Sequence, residues 1–313
     1  MMLPGHEACF VCRGDFAFGL PEKNDQTLQT RLIFTEAHEG WEGIPHGGAA
    51  MTLLLELAEF WSHTFRGRGL AYPLASDWRF ADTVALGDEM LLKAEPAGEL
   101  LRLTMRRQGG NKLYLAGDLR PVAAAAAGLR PPAPALLLNS ASPHRALAVY
   151  ENCFVCGRQR RGPGLKRRFF ASRTGVDAII VRFGGAADAE TAAALRQSAD
   201  ELHPGVLAAL LDELCGWSGV LAGDLYGYTV KFSLRISRRP RLGEEFFGFS
   251  PTPETRGRGS RQFYFPAGMI YRQNEDGSFE ELAAANGQWL AREELRQQFY
   301  ANHRPEDLSR IFF

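Results

Sequence analysis

The chain lacks an excess of charge of either sign. Its 36 Lys and Arg residues are balanced by 36 Asp and Glu residues, so the formal net charge is zero. A generic nucleic-acid-binding protein would carry a net basic field. The composition therefore argues against a nucleic-acid partner.

Long hydrophobic runs are also lacking. The most apolar stretches, such as 123–127 and 136–138, are far shorter than the roughly 20 residues of a membrane-spanning helix. The first residues have no basic region followed by an apolar run, as a secretory signal would. We therefore expect no membrane partner and no secretion. The 45% hydrophobic content is typical of globular proteins, and 313 residues suggest about two domains.

Cysteines are few and odd in number. The five are Cys9, Cys12, Cys153, Cys156 and Cys215. Without a signal sequence, this count indicates reduced thiols and a cytoplasmic protein. Two Cys-x-x-Cys pairs would complete a tetrahedral zinc site if they met, but 141 residues separate Cys12 from Cys153, whereas zinc ribbons separate their pairs by about 15–20. We interpret the pairs as small buried residues and predict no metal and no cofactor.

The cysteine pairs are the first sign of an internal duplication. A repeat must be recognised first, because the fold of the whole chain is assigned wrongly if it is missed. Three segments recur: 7–12 as 151–156, the Gly-Leu at 19–20 as 164–165, and 45–57 as 202–214. The offset grows from 144 to 157, so the second copy carries about 13 extra residues, which we assign to 185–197. The predicted organisation is a first domain at 1–121, an Ala/Pro-rich linker at 122–149, and a second domain at 150–313.

Each copy has the same predicted order of elements, a long helix followed by about four strands. The strands are expected near 72–80, 89–95, 100–107 and 112–121 in the first copy, and near 226–234, 244–249, 262–272 and 280–290 in the second. A C-terminal helix is expected at 291–302. A long helix with a run of antiparallel strands is the α+β class.

Both predicted helices begin at a His and a Gly. His46-Gly47-Gly48 precedes the first helix. The unpaired amides of a helix start can bind a carbonyl oxygen or an anion, and glycine allows close approach; the alternative is a plain tight turn. In the second helix, Asp212 lies among small residues, where a carboxylate is either functional or solvated at the edge of the helix. Leu55 stands at the matching position of the first helix.

Two further acidic residues complete the helix comparison. Glu56 and Glu213 match each other, and Glu59 lies one turn beyond Leu55. The two copies are therefore not chemically equivalent.

Together these motifs resemble the hotdog-fold thioesterases, especially the phenylacetyl-CoA thioesterase-like branch. The matching segments are Cys-Phe-Val-Cys-Gly at 153–157, Gly-Leu at 164–165, Gly-Trp-Glu-Gly-Ile-Pro-His-Gly-Gly at 40–48 and Leu-Leu-Asp-Glu at 210–213. The resemblance covers most of both copies. It implies a double hotdog of α+β class, with two tandem domains that each wrap an antiparallel sheet around a long helix.

The resemblance also implies a composite site that hydrolyses an acyl-CoA or related thioester. By this analogy Asp212 acts as base or nucleophile, and amides at Gly47 and Gly48 hold the thioester oxygen. His46 shapes the loop. The other composite site would join Gly205 to Leu55 and would lack an acid. The candidate substrate-binding residues are Trp41, Leu55, Glu59, His203, Gly205 and Glu213.

Other functions stay open on the same fold. One is a non-catalytic protein that binds an acyl group or another small molecule, because each copy has lost part of the motif that the other retains. Another is a hydratase or dehydratase, although the spacing of His203 and Asp212 does not fit that chemistry well. The expected ligand is an acyl-CoA-like small molecule. Exposed sheet edges are compatible with a homodimer.

Overall fold

The computed structural model describes residues 3, 6–110, 112–123, 145–160, 162–172 and 177–302. In the first half of the chain the elements are β1 Glu22–Asn24, β2 Thr27–Ile33, β3 Glu39–Trp41, β4 Ile44–Pro45, α1 Gly47–Arg66, β5 Leu74–Phe80, β6 Glu89–Ala97, β7 Leu100–Arg107 and β8 Leu113–Pro121. Short 3-10 helices lie at Phe10–Cys12, Gly14–Phe16 and Glu36–His38.

The second half repeats this order with additions. Its elements are β9 Arg145–Ala146, β10 Phe170–Ser172, β11 Ala178–Phe183, α2 Ala189–Ala194, α3 Gly205–Leu221, β12 Gly227–Ile236, β13 Phe246–Pro251, β14 Glu254–Arg256, β15 Phe263–Phe265, β16 Ala267–Gln273, β17 Phe279–Ala291 and α4 Glu293–Asn302. Further 3-10 turns lie at Ala186–Asp188 and Gly259–Arg261.

One antiparallel sheet runs through both halves. Its main path is β1-β2-β6-β7-β8-β5-β12-β17-β16-β13-β11-β10-β9, with β14 and β15 beside β17. The halves join where β5 pairs with β12, in a register that sets Leu74 opposite Ile236 and Arg79 opposite Lys231. Each half therefore covers the sheet edge that its neighbour would otherwise expose.

The two long helices lie inside this sheet and pack against each other. α1 is buried from Gly48 to Ser62, and α3 is buried over most of its length. Glycines let the helices approach closely at their starts. A Cβ built on Gly48 would lie 2.4 Å from the Ala209 Cα, and one on Gly205 would lie 2.4 Å from the Thr52 side chain. The two helix starts, each with its His-x-Gly motif, are thus held against the opposite helix.

The predicted α+β class and the two long helices are confirmed. The strands that follow them are confirmed except near 262–272, where β15 and β16 replace one predicted strand and the unpredicted β14 precedes them. The predicted insertion at 185–197 contains the short helix α2. Most of the predicted linker, 124–144, lies outside the described residues, as does the end of the second predicted domain from 303. Within the described residues, no helix is long and apolar enough to cross a membrane.

The strands that precede each long helix were not predicted. In β2 the buried residues Leu28, Thr30 and Leu32 alternate with more exposed residues. This alternation is the sequence pattern of a strand, so β2 could have been predicted. β11, Ala178–Phe183, is a short apolar run that is buried at five of six positions, and such a run cannot be told from a buried helix by periodicity alone.

Candidate active site

A tight hairpin places His46 at the start of α1. β3 and β4 form this hairpin, and Gly43 takes a positive φ of 73° in its turn. The Gly43 amide donates to Glu39 Oε1 at 2.8 Å, and the His46 amide donates to the carbonyl of His38 at 2.8 Å. A Cβ on Gly40 would lie 2.8 Å from the His46 Cα, so this position has room only for glycine. The Gly-Trp-x-Gly-x-x-His motif is thus the sequence of the hairpin that carries His46.

The His46 side chain caps α1 and reaches the second half of the chain. Its Nδ1 accepts a hydrogen bond of 2.8 Å from the Gly48 amide, and its Nε2 lies 3.0 Å from Glu213 Oε2. In neutral His46 the Nε2–H donates to Glu213. In the protonated ring, Nδ1–H faces Asp212 Oδ2 at 3.4 Å and the Gly48 amide donates to Asp212 alone. Both ring nitrogens are therefore occupied in either state.

The Asp212 carboxylate is buried and held at both oxygens. Oδ2 accepts from the Gly48 amide at 2.9 Å, and Oδ1 accepts from the Thr229 hydroxyl at 2.8 Å. Burial raises the pKa of Asp212 above its ordinary value, while the charge of His46 and the two hydrogen bonds act in the opposite direction. The carboxylate of one half thus lies at the helix start of the other, with a basicity increased by desolvation.

The neighbouring acid, Glu213, forms an ion pair with His46. Burial disfavours both charges, but the hydrogen bond between them raises the pKa of His46 to about 9 and lowers that of Glu213. The Trp217 indole donates to Glu213 Oε1 at 2.9 Å, and the Cys153 thiol lies 3.9 Å from the same oxygen. Glu213 is therefore a fixed counter-charge, whereas Asp212 has the raised pKa.

A cavity of about 110 Å³ opens beside these groups. Its wall includes His46, Gly47, Asp212 and Glu213. Of the two glycines that follow His46, Gly47 is part of the wall and Gly48 is not. A Cβ on Gly47 would lie 2.8 Å from Asp212 Oδ2. The rest of the wall is rich in aromatic rings, namely those of Trp41, Phe80, Tyr114, Tyr150, Trp217, Tyr226, Tyr228, Tyr264, Trp289 and Phe299.

The equivalent place around the other helix start has no counterpart of Asp212. His203 caps α3 by accepting a 3.0 Å hydrogen bond from the Gly205 amide, and its Nε2 lies 3.0 Å from Glu56 Oε2. Leu55, the counterpart of Asp212, is buried and 1% exposed. Thr52 fills the space beside Gly205 and donates to its carbonyl at 3.1 Å.

The candidate residues thus fall into two groups. Trp41, His46, Gly47, Asp212 and Glu213 line one cavity, and Gly48 holds Asp212 in place. Leu55, Glu59, His203 and Gly205 do not line this cavity.

Glu59, the acid one turn beyond Leu55, is fixed elsewhere. It forms a 2.9 Å ion pair with Arg239 and accepts from the Leu70 amide at 3.0 Å.

Sequence reasoning missed Thr229 and most of the aromatic wall. Thr229 lies inside the predicted strand 226–234, and nothing in its local pattern indicates a contact with Asp212. Sequence reasoning also missed that the glutamate of each long helix pairs with the histidine of the other copy, Glu213 with His46 and Glu56 with His203. The matched positions of Glu56 and Glu213 were a signal for that pairing.

Comparison with solved structures shows the hotdog fold. A protein of Novosphingobium aromaticivorans provisionally named a thioesterase is 15% identical, with a TM-score of 0.56 over 88% of this chain and 100% of that chain. A protein of unknown function with a hotdog fold from Alicyclobacillus acidocaldarius is 13% identical, with a TM-score of 0.54 over 87% and 96%. The predicted double hotdog is therefore confirmed.

A third similar structure contains a ligand. It is the dehydratase domain of PpsC from Mycobacterium tuberculosis in complex with C12:1-CoA, which is 13% identical with a TM-score of 0.52 over 88% of this chain and 98% of that domain. No family model and no curated protein matches the sequence.

Proposed function

We propose that the chain hydrolyses a thioester of the acyl-CoA type at the cavity beside α1. The observation that carries this proposal is the position of Asp212 of the second half, whose Oδ2 lies 2.9 Å from an amide at the helix start of the first half. A carboxylate and a helix start with glycine amides are the two groups that acyl transfer to water requires.

The contacts assign different roles to the two glycines of the motif. The Gly48 amide is occupied by Asp212, and also by His46 Nδ1 when that ring is neutral. Gly47 faces the cavity, and its amide is the first of the helix, where no intrahelical partner exists. The Gly47 amide is therefore the oxyanion donor in this proposal. A donor of this kind contributes about 3–4 kcal/mol to the reaction barrier.

The proposed reaction begins with a water molecule between Asp212 and the thioester carbonyl. Asp212 accepts a proton from this water as its oxygen adds to the carbonyl carbon. The negative charge on the carbonyl oxygen is stabilised by the Gly47 amide. The tetrahedral intermediate then expels the thiolate, which takes the proton from Asp212, to give a carboxylic acid and free thiol. His46 has partners at both ring nitrogens and is a positioning residue.

The cavity favours a short or aromatic acyl group. This cavity measures about 110 Å³, somewhat less than the apolar protein cavity of about 150 Å³ that admits benzene, and its wall is rich in aromatic rings that would contact an apolar acyl group. The acyl-CoA bound to the similar dehydratase domain supports CoA as the carrier of the acyl group.

Thiol release from a panel of acyl-CoAs tests the proposal. Wild type and Asp212→Asn are compared on short, medium, long and aryl substrates, and circular dichroism checks that both are folded. We expect turnover of a short or aryl thioester, and a loss of about 10²–10⁴-fold in Asp212→Asn, the usual contribution of a general base. A folded wild type that binds acyl-CoAs but turns over none would instead support the binding protein.

A further inference from the structure

The first cysteine pair lies in a buried cluster that the proposed reaction does not use. Cys9 precedes the first 3-10 helix and Cys12 ends it, and His6 lies upstream of both. Their side chains converge on Glu56 of α1. The distances to Glu56 Oε1 are 2.8 Å from His6 Nδ1, 2.8 Å from Cys12 Sγ and 3.6 Å from Cys9 Sγ.

This cluster has the composition and dimensions of a zinc site. Two sulfurs, an imidazole nitrogen and a carboxylate oxygen are all ligands of zinc. On tetrahedral zinc, two such ligand atoms lie about 3.3–3.8 Å apart. The four ligand atoms here all lie within 4.8 Å of one another, and Cys12 Sγ is 3.9 Å from His6 Nδ1. Glu56 Oε1 lies only 2.8 Å from His6 Nδ1 and 2.8 Å from Cys12 Sγ. A small outward movement of the Glu56 carboxylate would bring these distances to the spacing of zinc ligands and make room for the ion.

A second observation comes from Gln197, which is 1% exposed. Its side-chain nitrogen lies 3.2 Å from His6 Nε2, and its Oε1 has no hydrogen-bond partner among the described residues. Buried polar atoms are rarely left unpaired. If His6 Nδ1 binds a metal, Nε2 carries the hydrogen, and a flipped Gln197 amide accepts it at Oε1. The Gln197 carboxamide therefore offers a buried acceptor for the Nε2–H of a metal-bound His6, the kind of partner to which ligating histidines usually donate their other N–H, although one group of the carboxamide has no partner in either orientation within the part of the chain that the structure describes.

The second half of the chain supplies an internal comparison. Cys153 and Cys156 correspond to Cys9 and Cys12, but Tyr150 stands where the first half has His6. In the described part of the second half, the corresponding metal-like group has three members, His46, Cys153 and Glu213, and belongs to the candidate active site. Only the first cysteine pair thus has a complete set of four.

We propose that His6, Cys9, Cys12 and Glu56 bind one zinc ion in a closed structural site. The expectation of no metal rested on the distance between the two cysteine pairs, but the first pair has other partners and does not need the second. The ion would fix the N-terminal segment to α1. Glu56 Oε2 also contacts His203, so the site would connect the N-terminal segment to the start of α3.

Metal analysis of the full-length protein, purified without a histidine tag, tests this proposal. We expect one zinc per chain by mass spectrometry, with loss of the zinc in Cys9→Ser and in Cys12→Ser. Cobalt exchanged into the wild type should give cobalt–thiolate charge-transfer bands and the visible bands of tetrahedral cobalt. Chelator treatment of the wild type should lower Tm, and added zinc should restore it, so the test does not depend on the variants folding.

Two control variants separate this ligand set from its alternatives. His63→Ala tests a neighbouring group formed by His6, Glu59 and His63, and Cys153→Ser tests the second cysteine pair. Both should retain zinc. The proposal is overturned if wild type neither contains zinc nor retains it after incubation and dialysis. It is equally overturned if either control loses the ion while Cys9→Ser keeps it.

Discussion

Removing the Thr229 hydroxyl should change the pH at which the proposed enzyme works. The hydroxyl donates a 2.8 Å hydrogen bond to Asp212 Oδ1, and the carboxylate is only 6% exposed. A hydrogen bond to a charged group contributes about 1.5–3 kcal/mol. Thr229→Val keeps the shape of the side chain and removes this bond from the ionised form of Asp212.

The sign of the effect follows from the role of Asp212 as a base. Loss of a donor disfavours the carboxylate, so the pKa of Asp212 rises further and more of it is protonated at low pH. The acidic limb of kcat/KM should move to higher pH by about 1–2 pH units, since one unit corresponds to about 1.4 kcal/mol. The rate above this limb should change much less.

The assay is thiol release across a pH series, with Thr229→Ser as the matched control. The serine variant keeps the hydroxyl and should retain the wild-type profile. An unchanged acidic limb in a folded Thr229→Val protein would refute the assignment of Asp212 as the titrating base. Equal displacement in both variants would show that packing at this position, and not the hydrogen bond, sets the profile.

Three further predictions concern the helix starts. Gly47→Ala brings a methyl group within 2.8 Å of Asp212 Oδ2, and displacement of the carboxylate should lower kcat/KM about 100-fold. Circular dichroism should be unchanged. A wild-type rate would show that the methyl group does not displace Asp212. Because the folded pKa of His46 is raised from 6.5 to about 9, its ion pair stabilises fully below pH 6.5 and the stabilisation is lost as pH rises through about 9. Urea unfolding should record a loss of about 3 kcal/mol over that range, and His46→Asn should flatten it. Gly205→Ala places a Cβ 2.4 Å from the facing helix and should lower the free energy of unfolding by about 1–3 kcal/mol. Its control, Gly216→Ala on the same helix, meets no atom nearer than 3.8 Å and should raise the free energy of unfolding by about 0.5–1 kcal/mol. Equal unfolding midpoints for the two variants would contradict both predictions.

The repeat was the most informative feature of the sequence. It predicted the α+β class and, in each half, a long helix followed by several strands, because helix starts, turns and alternating strands are local patterns. It also identified Asp212 and the His-Gly-Gly segment as candidates, because motif residues stand at fixed offsets from the helix starts. None of this required knowledge of contacts between the halves.

The partners of those residues depend on distant parts of the chain. Asp212 is held by Thr229 and Gly48, and His46 by Glu213, which is 167 residues away. Such pairs form only when the halves join along β5 and β12 and the helix starts pack on opposite helices. A local sequence pattern does not contain that docking, so the sequence identified the candidate residues but not the partners that hold them.

The two cysteine pairs illustrate the same division. The sequence determined that each copy has a pair, and it determined the His6-to-Tyr150 difference between the copies. Only the tertiary structure decided that the first pair meets Glu56 and His6, while Cys153 of the second lies beside Glu213 at the cavity. The physical reason is that burial inside the sheet brings together side chains from separate segments, and desolvation there makes each polar group depend on the partner it finds.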